Sequence, residues 1–171
     1  VEHDDGKLDQ YSDEMLDTLV ETAIENHPTA LALTGDITLN GERINHELLA
    51  EKLQKVQDAG IPVLVIPGNH DIRNQNAATY FGEKREEAEY LETGDDFYEI
   101  YHRFGYDQSP NRDMASLSYV YPLDAKHWLL MLDSCIYDDG NHVEGRISEA
   151  TLKWMEVHLR VAKEHDIQVI V

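Results

Sequence analysis

The stretch Val63-Leu64-Val65-Ile66-Pro67-Gly68-Asn69-His70-Asp71 constrains the fold more than any other. Four consecutive apolar residues and a proline run into a turn that carries Asn, His and Asp side by side. The apolar part reads as a strand covered on both faces. The polar part reads as a turn at that strand's carboxyl end, where open α/β sheets place their chemistry. A second, shorter version precedes it: Leu31-Ala32-Leu33 followed by Thr34-Gly35-Asp36. In both, a glycine lets the backbone turn sharply just past the strand, and an oxygen-bearing side chain comes next.

Helical patterns flank these strands. From Ser12, read as a cap, Leu16, Leu19, Val20, Ala23 and Ile24 recur at helical spacing, ended by Asn26-His27-Pro28. From about Asn45 a second helix places Leu49, Leu53 and Val56 on one face, with Gly60 as its C′ residue. Helix, strand, helix, strand argues an α/β fold, a layered β-sheet core flanked by helices. Residues 83–92 are highly charged with a thin helical face and read as a solvated insertion or cap. Phe97, Ile100, Tyr101 and Phe104 again have helical spacing, ended by Gly105. Leu117–Tyr121 and Trp128–Leu132 read as an antiparallel strand pair. Ser148 caps a last helix with Leu152, Met155, Leu159 and Ala162 on its face, before a final strand at Ile167–Val171. Asp4-Asp5-Gly6 is a turn signal near the start.

A chain of 171 residues suits a single domain spanning 1–171. Its 34 acidic and 14 basic residues give a net charge of −20. A field of that sign repels phosphate backbones, so nucleic acid is not expected as the main partner. No apolar run is long enough to span a membrane. Cys135 stands alone, so no disulfide forms within the chain. Oligomeric state and compartment are not written in these residues.

If the two apolar strands lie parallel and adjacent, Asp36 and Asn69 emerge on one sheet edge. A carboxylate and an amide oxygen are both ligands for divalent cations. His70 beside them suits a ligand or a general acid near neutral pH. The bland alternative is a polar turn in which Asn and Asp serve only backbone geometry. Paired with Gly35-Asp36, Gly-Asn-His-Asp favours a metal site. A given tetrapeptide arises by chance in such a chain on the order of once in a thousand.

Gly35-Asp36 with Asn40-Gly41, then Gly68-Asn69-His70-Asp71 some 33 residues beyond Asp36, resembles the calcineurin-like metallophosphoesterases. Leu132-Asp133-Ser134 and the helix after it are similar to the matching segment of the bacterial phosphodiesterase-like branch. The resemblance implies an αββα sandwich, here incomplete, and two divalent metal ions (Mn, Fe or Zn). It implies that Asp36 bridges the two ions, that Asn69 gives its side-chain oxygen to one, and that His70 protonates the leaving oxygen. Asp71 would stand behind the ligands and support the imidazole. The implied reaction is hydrolysis of a small phosphoester by a metal-activated water. The family's Asp-x-His near its first strand and its later Gly-His-x-His do not occur. The chain therefore reads as the central segment of a longer phosphoesterase, weakly active by itself. Asn40-Gly41-Glu42 stands where Ser/Thr protein phosphatases carry an Arg, which favours a phosphodiester or small phosphomonoester over a phosphoprotein.

A rival reading is a non-catalytic acidic module that binds calcium or a partner. Asp36, Thr38, Asn40, Gly41 and Glu47 fall at EF-hand-like ligand positions. Against it, Thr38 replaces an acid, Arg43 stands where an apolar residue is expected, and a strand precedes the loop.

Overall fold

The computed structural model describes residues 11–82, 84–138 and 140–171. The Asp4-Asp5-Gly6 turn lies outside them. The elements in order are α1 (Ser12–Asn26), β1 (Leu31–Thr34), α2 (Arg43–Asp58), β2 (Val63–Ile66), β3 (Ala78–Phe81) and β4 (Lys84–Glu87). Then come α3 (Gly94–Tyr101), a kinked turn (His102–Tyr106), β5 (Asn111–Arg112), β6 (Tyr119–Pro122), β7 (His127–Met131), α4 (Glu149–Glu164) and β8 (Gln168–Ile170). This is an α/β fold.

β1 and β2 are neighbours and parallel, with Leu31 opposite Val63 and Thr34 opposite Ile66. The register carries both chains off the sheet at the same edge. β2 is buried at every position, as a fully covered strand should be. β1 differs from expectation: Ala32 and Thr34 are exposed while Leu31 and Leu33 are half-buried. Its side chains alternate, so only one face of β1 meets the core.

The second sheet runs β5-β6-β7-β8, with β6 and β7 antiparallel and β8 parallel to β7. It joins the first through Tyr119. The Tyr119 hydroxyl accepts the Val65 N–H and donates to the Val65 carbonyl, each at 3.1 Å. A side chain thereby satisfies backbone groups of β2 that no strand pairs. Around it, Phe97, Tyr101, Phe104, Tyr106, Leu64 and Leu53 form the buried core.

Helix α2 follows the sequence closely. Leu49, Leu53 and Val56 are buried, together with His46. Gly60 takes φ +86°, its N–H reaches the Gln57 carbonyl and the Ile61 N–H reaches that of Val56. This is a Schellman ending, which needs the left-handed conformation glycine adopts freely. α1 buries Val20 and Ala23, whereas Leu19 and Ile24 are exposed. Ser12 is its first helical residue and not its cap, because Tyr11 before it is already turned (φ −105°, ψ 1°) and no side chain caps the end.

Residues 84–87, within the stretch read as a solvated insertion or cap, form one strand of an antiparallel hairpin with 78–81. Gly82 at φ +63° makes the reversal, and the exposed strand Lys84–Glu87 confirms the solvated character. In α4 the Ser148 cap holds, its hydroxyl accepting the Thr151 N–H at 3.0 Å. The inward face is rotated, however: Thr151 and Ala162 are buried while Leu152 and Leu159 are exposed. The Thr151 hydroxyl donates to the buried Asp113 carboxylate at 2.7 Å, and that bond fixes which face turns inward.

Candidate metal centre

The turns after β1 and β2 pack backbone against backbone. Gly35 (φ +97°) has no room for a side chain, since a Cβ there would lie 2.8 Å from Gly68 Cα. A Cβ on Gly68 would lie 2.2 Å from Asp36 N and from its Oδ1. The approach of the two turns is thus set by two missing methyl groups. Asp36 itself adopts φ +49°, a left-handed conformation that Asp tolerates better than most residues.

Hydrogen bonds cross the gap in both directions. Asp36 Oδ1 accepts the His70 N–H at 3.1 Å. The buried Asp71 carboxylate accepts from the backbone of Gly68 (2.8 Å), Ile37 (3.2 Å) and Thr38 (2.9 Å), and from the Thr38 hydroxyl (2.8 Å). Asp71 therefore ties the Asp36 loop to its own turn. The His70 ring, for its part, is held by Nδ1 against the Leu39 carbonyl. A carbonyl only accepts, so Nδ1 carries a proton, and Nε2 is the nitrogen left for chemistry.

Asp36 and Asn69 line one cleft of about 270 Å³, whose floor is Gly35, Pro67 and Gly68. The residue after β7, Leu132, reaches the same cleft, followed by Ser134 and Cys135. Three strand ends converge there, as the rule for α/β sheets leads one to expect. The opposite wall is His142, Val143, Glu144 and Gly145. His70 stands beside the cleft and is not part of its lining.

The cleft is electronegative. Burial, then the charges of Asp133, Asp71 and Asp36, pushes the Cys135 thiol up to about 12. Burial likewise raises the Asp133 carboxyl, which Tyr137, Leu117 and Cys135 hydrogen-bond. Below the site His46 is fully buried, its Nε2 at 3.0 Å from the Asp71 carbonyl and its Nδ1 at 2.9 Å from the Tyr101 hydroxyl.

These donors fit a divalent cation as part of a coordination shell. Asp36 keeps one carboxylate oxygen clear of the His70 bond, Asn69 adds an amide oxygen, and the surrounding field is negative. They do not make a whole shell: among the described residues, no three His, Cys, Asp or Glu side chains are grouped to hold a metal ion. The EF-hand-like alternative finds no such grouping either, and its Thr38 hydroxyl is spent on Asp71.

The wall at 142–145 was not singled out from sequence, and neither was Asn141 beside it. The signal that points to it is positional, since this segment follows β7, and the residue after β7, Leu132, lines the same cleft as the turns after β1 and β2.

Two parallel strands with glycine turns deliver Asp36 and Asn69 into one open cleft on an α/β frame. The calcineurin-like phosphoesterase family model matches residues 9–169, and the chain belongs to that family. It is accordingly a phosphoester hydrolase of a metal-binding family. No curated protein matched the chain. No helix among the described residues is long and apolar enough to cross a membrane.

Proposed function

We propose that this protein hydrolyses a phosphodiester or small phosphomonoester, using Asp36 and Asn69 to hold divalent cations and His70 as the acid. The observation that carries the reading is the parallel register of β1 and β2, which brings Asp36 and Asn69 to one cleft. Two bound divalent ions (Mn, Fe or Zn) would supply charge for the phosphoryl oxygens and a lowered pKa for the attacking water.

The chain's own residues do the rest. Asp36 would offer a carboxylate and Asn69 a neutral amide oxygen to the bound cations. Asp71 keeps the two turns in register through its four hydrogen bonds. His70, with Nδ1 committed to Leu39, presents Nε2 for delivering a proton to the leaving oxygen. Among the described residues no Lys or Arg side chain lines the cleft, which favours a singly charged phosphodiester over a doubly charged monoester. Because Asp36 and Asn69 alone close no coordination shell, turnover would be slow with these two as the cation's protein ligands.

The test is hydrolysis of an aryl phosphodiester and an aryl phosphomonoester in the presence of Mn²⁺. Asp36→Ala and Asn69→Ala are expected to lose activity on both, with the diester the faster substrate in wild type. Equal rates in wild type and both variants would overturn the assignment.

A further inference from the structure

The Gly-Asn-His-Asp turn has all its carbonyls met, one by one. Gly68 O accepts from Asp71 N, His70 O from the Asn74 amide and Asp71 O from His46. The one that remains, Asn69 O, and the next carbonyl along the chain, Ile72 O, are both taken by one residue of another segment. The Asn141 side-chain amide donates to Asn69 O and, at 2.8 Å, to Ile72 O. Carbonyls only accept, so the NH₂ of Asn141 must face them and both of its hydrogens are used.

Asn141 sits on a strap, residues 134–138 and 140–146, that forms the cleft's opposite wall. The strap closes on itself where Arg146 N meets Ser134 O at 2.7 Å and His142 N meets Ile136 O at 3.2 Å. Arg73, just past the turn, grips it a second time by donating to the carbonyls of Tyr137 and Asp138 at 2.9 and 3.0 Å. The strap and the turn are therefore stitched together at two places.

Among the described residues the hydrogen bond of Asn69 is at its backbone carbonyl, so the place of its backbone sets what its amide oxygen can reach. We propose that Asn141 is a positioning residue for Asn69: by binding both carbonyls it holds the Asn69 oxygen at the cleft and makes cation binding depend on the strap. This rests on Asn69 being a cation ligand. Groups that orient a ligand commonly matter about 10–100-fold in metal affinity. Asn141 is exposed, and Asp71 and His46 hold the turn independently from below, so its removal leaves the fold intact.

The experiment is Mn²⁺ titration by calorimetry into metal-free wild type, Asn141→Ala, Asn141→Asp and Asn69→Ala, with circular dichroism melts on each. Asn141→Asp keeps the shape and removes the donors, so it stands in should the alanine variant melt early. Expected is a loss of about 10–100-fold in Mn²⁺ affinity for both Asn141 variants, with the folded spectrum retained. Wild-type affinity in both, while Asn69→Ala loses Mn²⁺, overturns the role of Asn141 alone. Wild-type affinity in Asn69→Ala overturns the ligand assignment and this inference with it.

Discussion

Gly68 lies so close to Asp36 that a single methyl group would overlap both the backbone nitrogen and Oδ1 of Asp36, at 2.2 Å from each. The atoms in the way are a backbone amide and a carboxylate already bonded to His70 N, so neither has an easy retreat. Gly68→Ala must push the two turns apart. Overpacking of this kind costs about 1–3 kcal/mol. Urea denaturation is expected to show that loss, and Mn²⁺ titration a weakened site, because Asp36 moves with the turn. A variant as stable and as cation-competent as wild type would mean that the turns do not pack as closely as described.

Asp71 makes the sharpest stability prediction. Its buried carboxylate accepts three backbone N–H groups and one hydroxyl from two separate loops. Asp71→Ala leaves those donors without a partner, and each buried donor stranded in this way costs about 1–3 kcal/mol. A total of at least about 3 kcal/mol is expected from denaturant melts, allowing for relaxation toward water. Asp71→Asn keeps one accepting oxygen and should fall between the two.

His46 gives the fold a pH dependence. Burial holds its imidazole below the usual histidine value, against the opposing pull of Asp71 and Glu42, with Arg43 adding to the depression. Its Nε2 donates to the Asp71 carbonyl, which fixes the neutral tautomer with Nδ1 facing the Tyr101 hydroxyl. Because the folded pKa lies below the unfolded one, the unfolded chain takes up a proton first as pH falls. Stability is full above the unfolded value near 6.5 and declines below it toward the folded value. Denaturant midpoints measured from pH 7.5 down to pH 5.5 should fall in wild type and fall less in His46→Gln, which cannot titrate. Parallel slopes would remove His46 as the cause.

What the sequence made legible was whatever a local pattern specifies. β1 and β2 are apolar runs ended by Gly and an oxygen-bearing residue, and that likeness raised their parallel pairing as a condition that the structure meets. The Gly60 ending and the Ser148 cap are set within a few residues and were equally readable. What escaped was long-range. The Lys84–Glu87 strand has no apolar alternation and is held by its partner and by Arg85 reaching the Asn76 carbonyl at 3.1 Å. The inward face of α4 is chosen by Asp113, 38 residues from Thr151. Asp71 and His70 were read as a pair because they are adjacent, yet their recorded side-chain bonds run to Thr38, Ile37, Gly68 and Leu39. Asn141 has no motif at all, and its partners lie about 70 residues away.

The proton-donor role of His70 separates from simple charge stabilisation through the leaving group. An aryl leaving oxygen departs as a stable anion and needs little protonation, whereas an alkyl oxygen needs a proton as the bond breaks. A well-placed acid contributes about 10²–10⁴-fold. His70→Asn should therefore lower kcat on an alkyl ester by about that factor and on its aryl counterpart by much less, with Mn²⁺ binding close to wild type. Among the described residues the imidazole is anchored through Nδ1 to Leu39, so the substitution leaves the Asp36 and Asp71 bonds in place. Equal losses on both esters, or loss of Mn²⁺ binding itself, would assign His70 to charge stabilisation or to the metal shell and leave the leaving group to water.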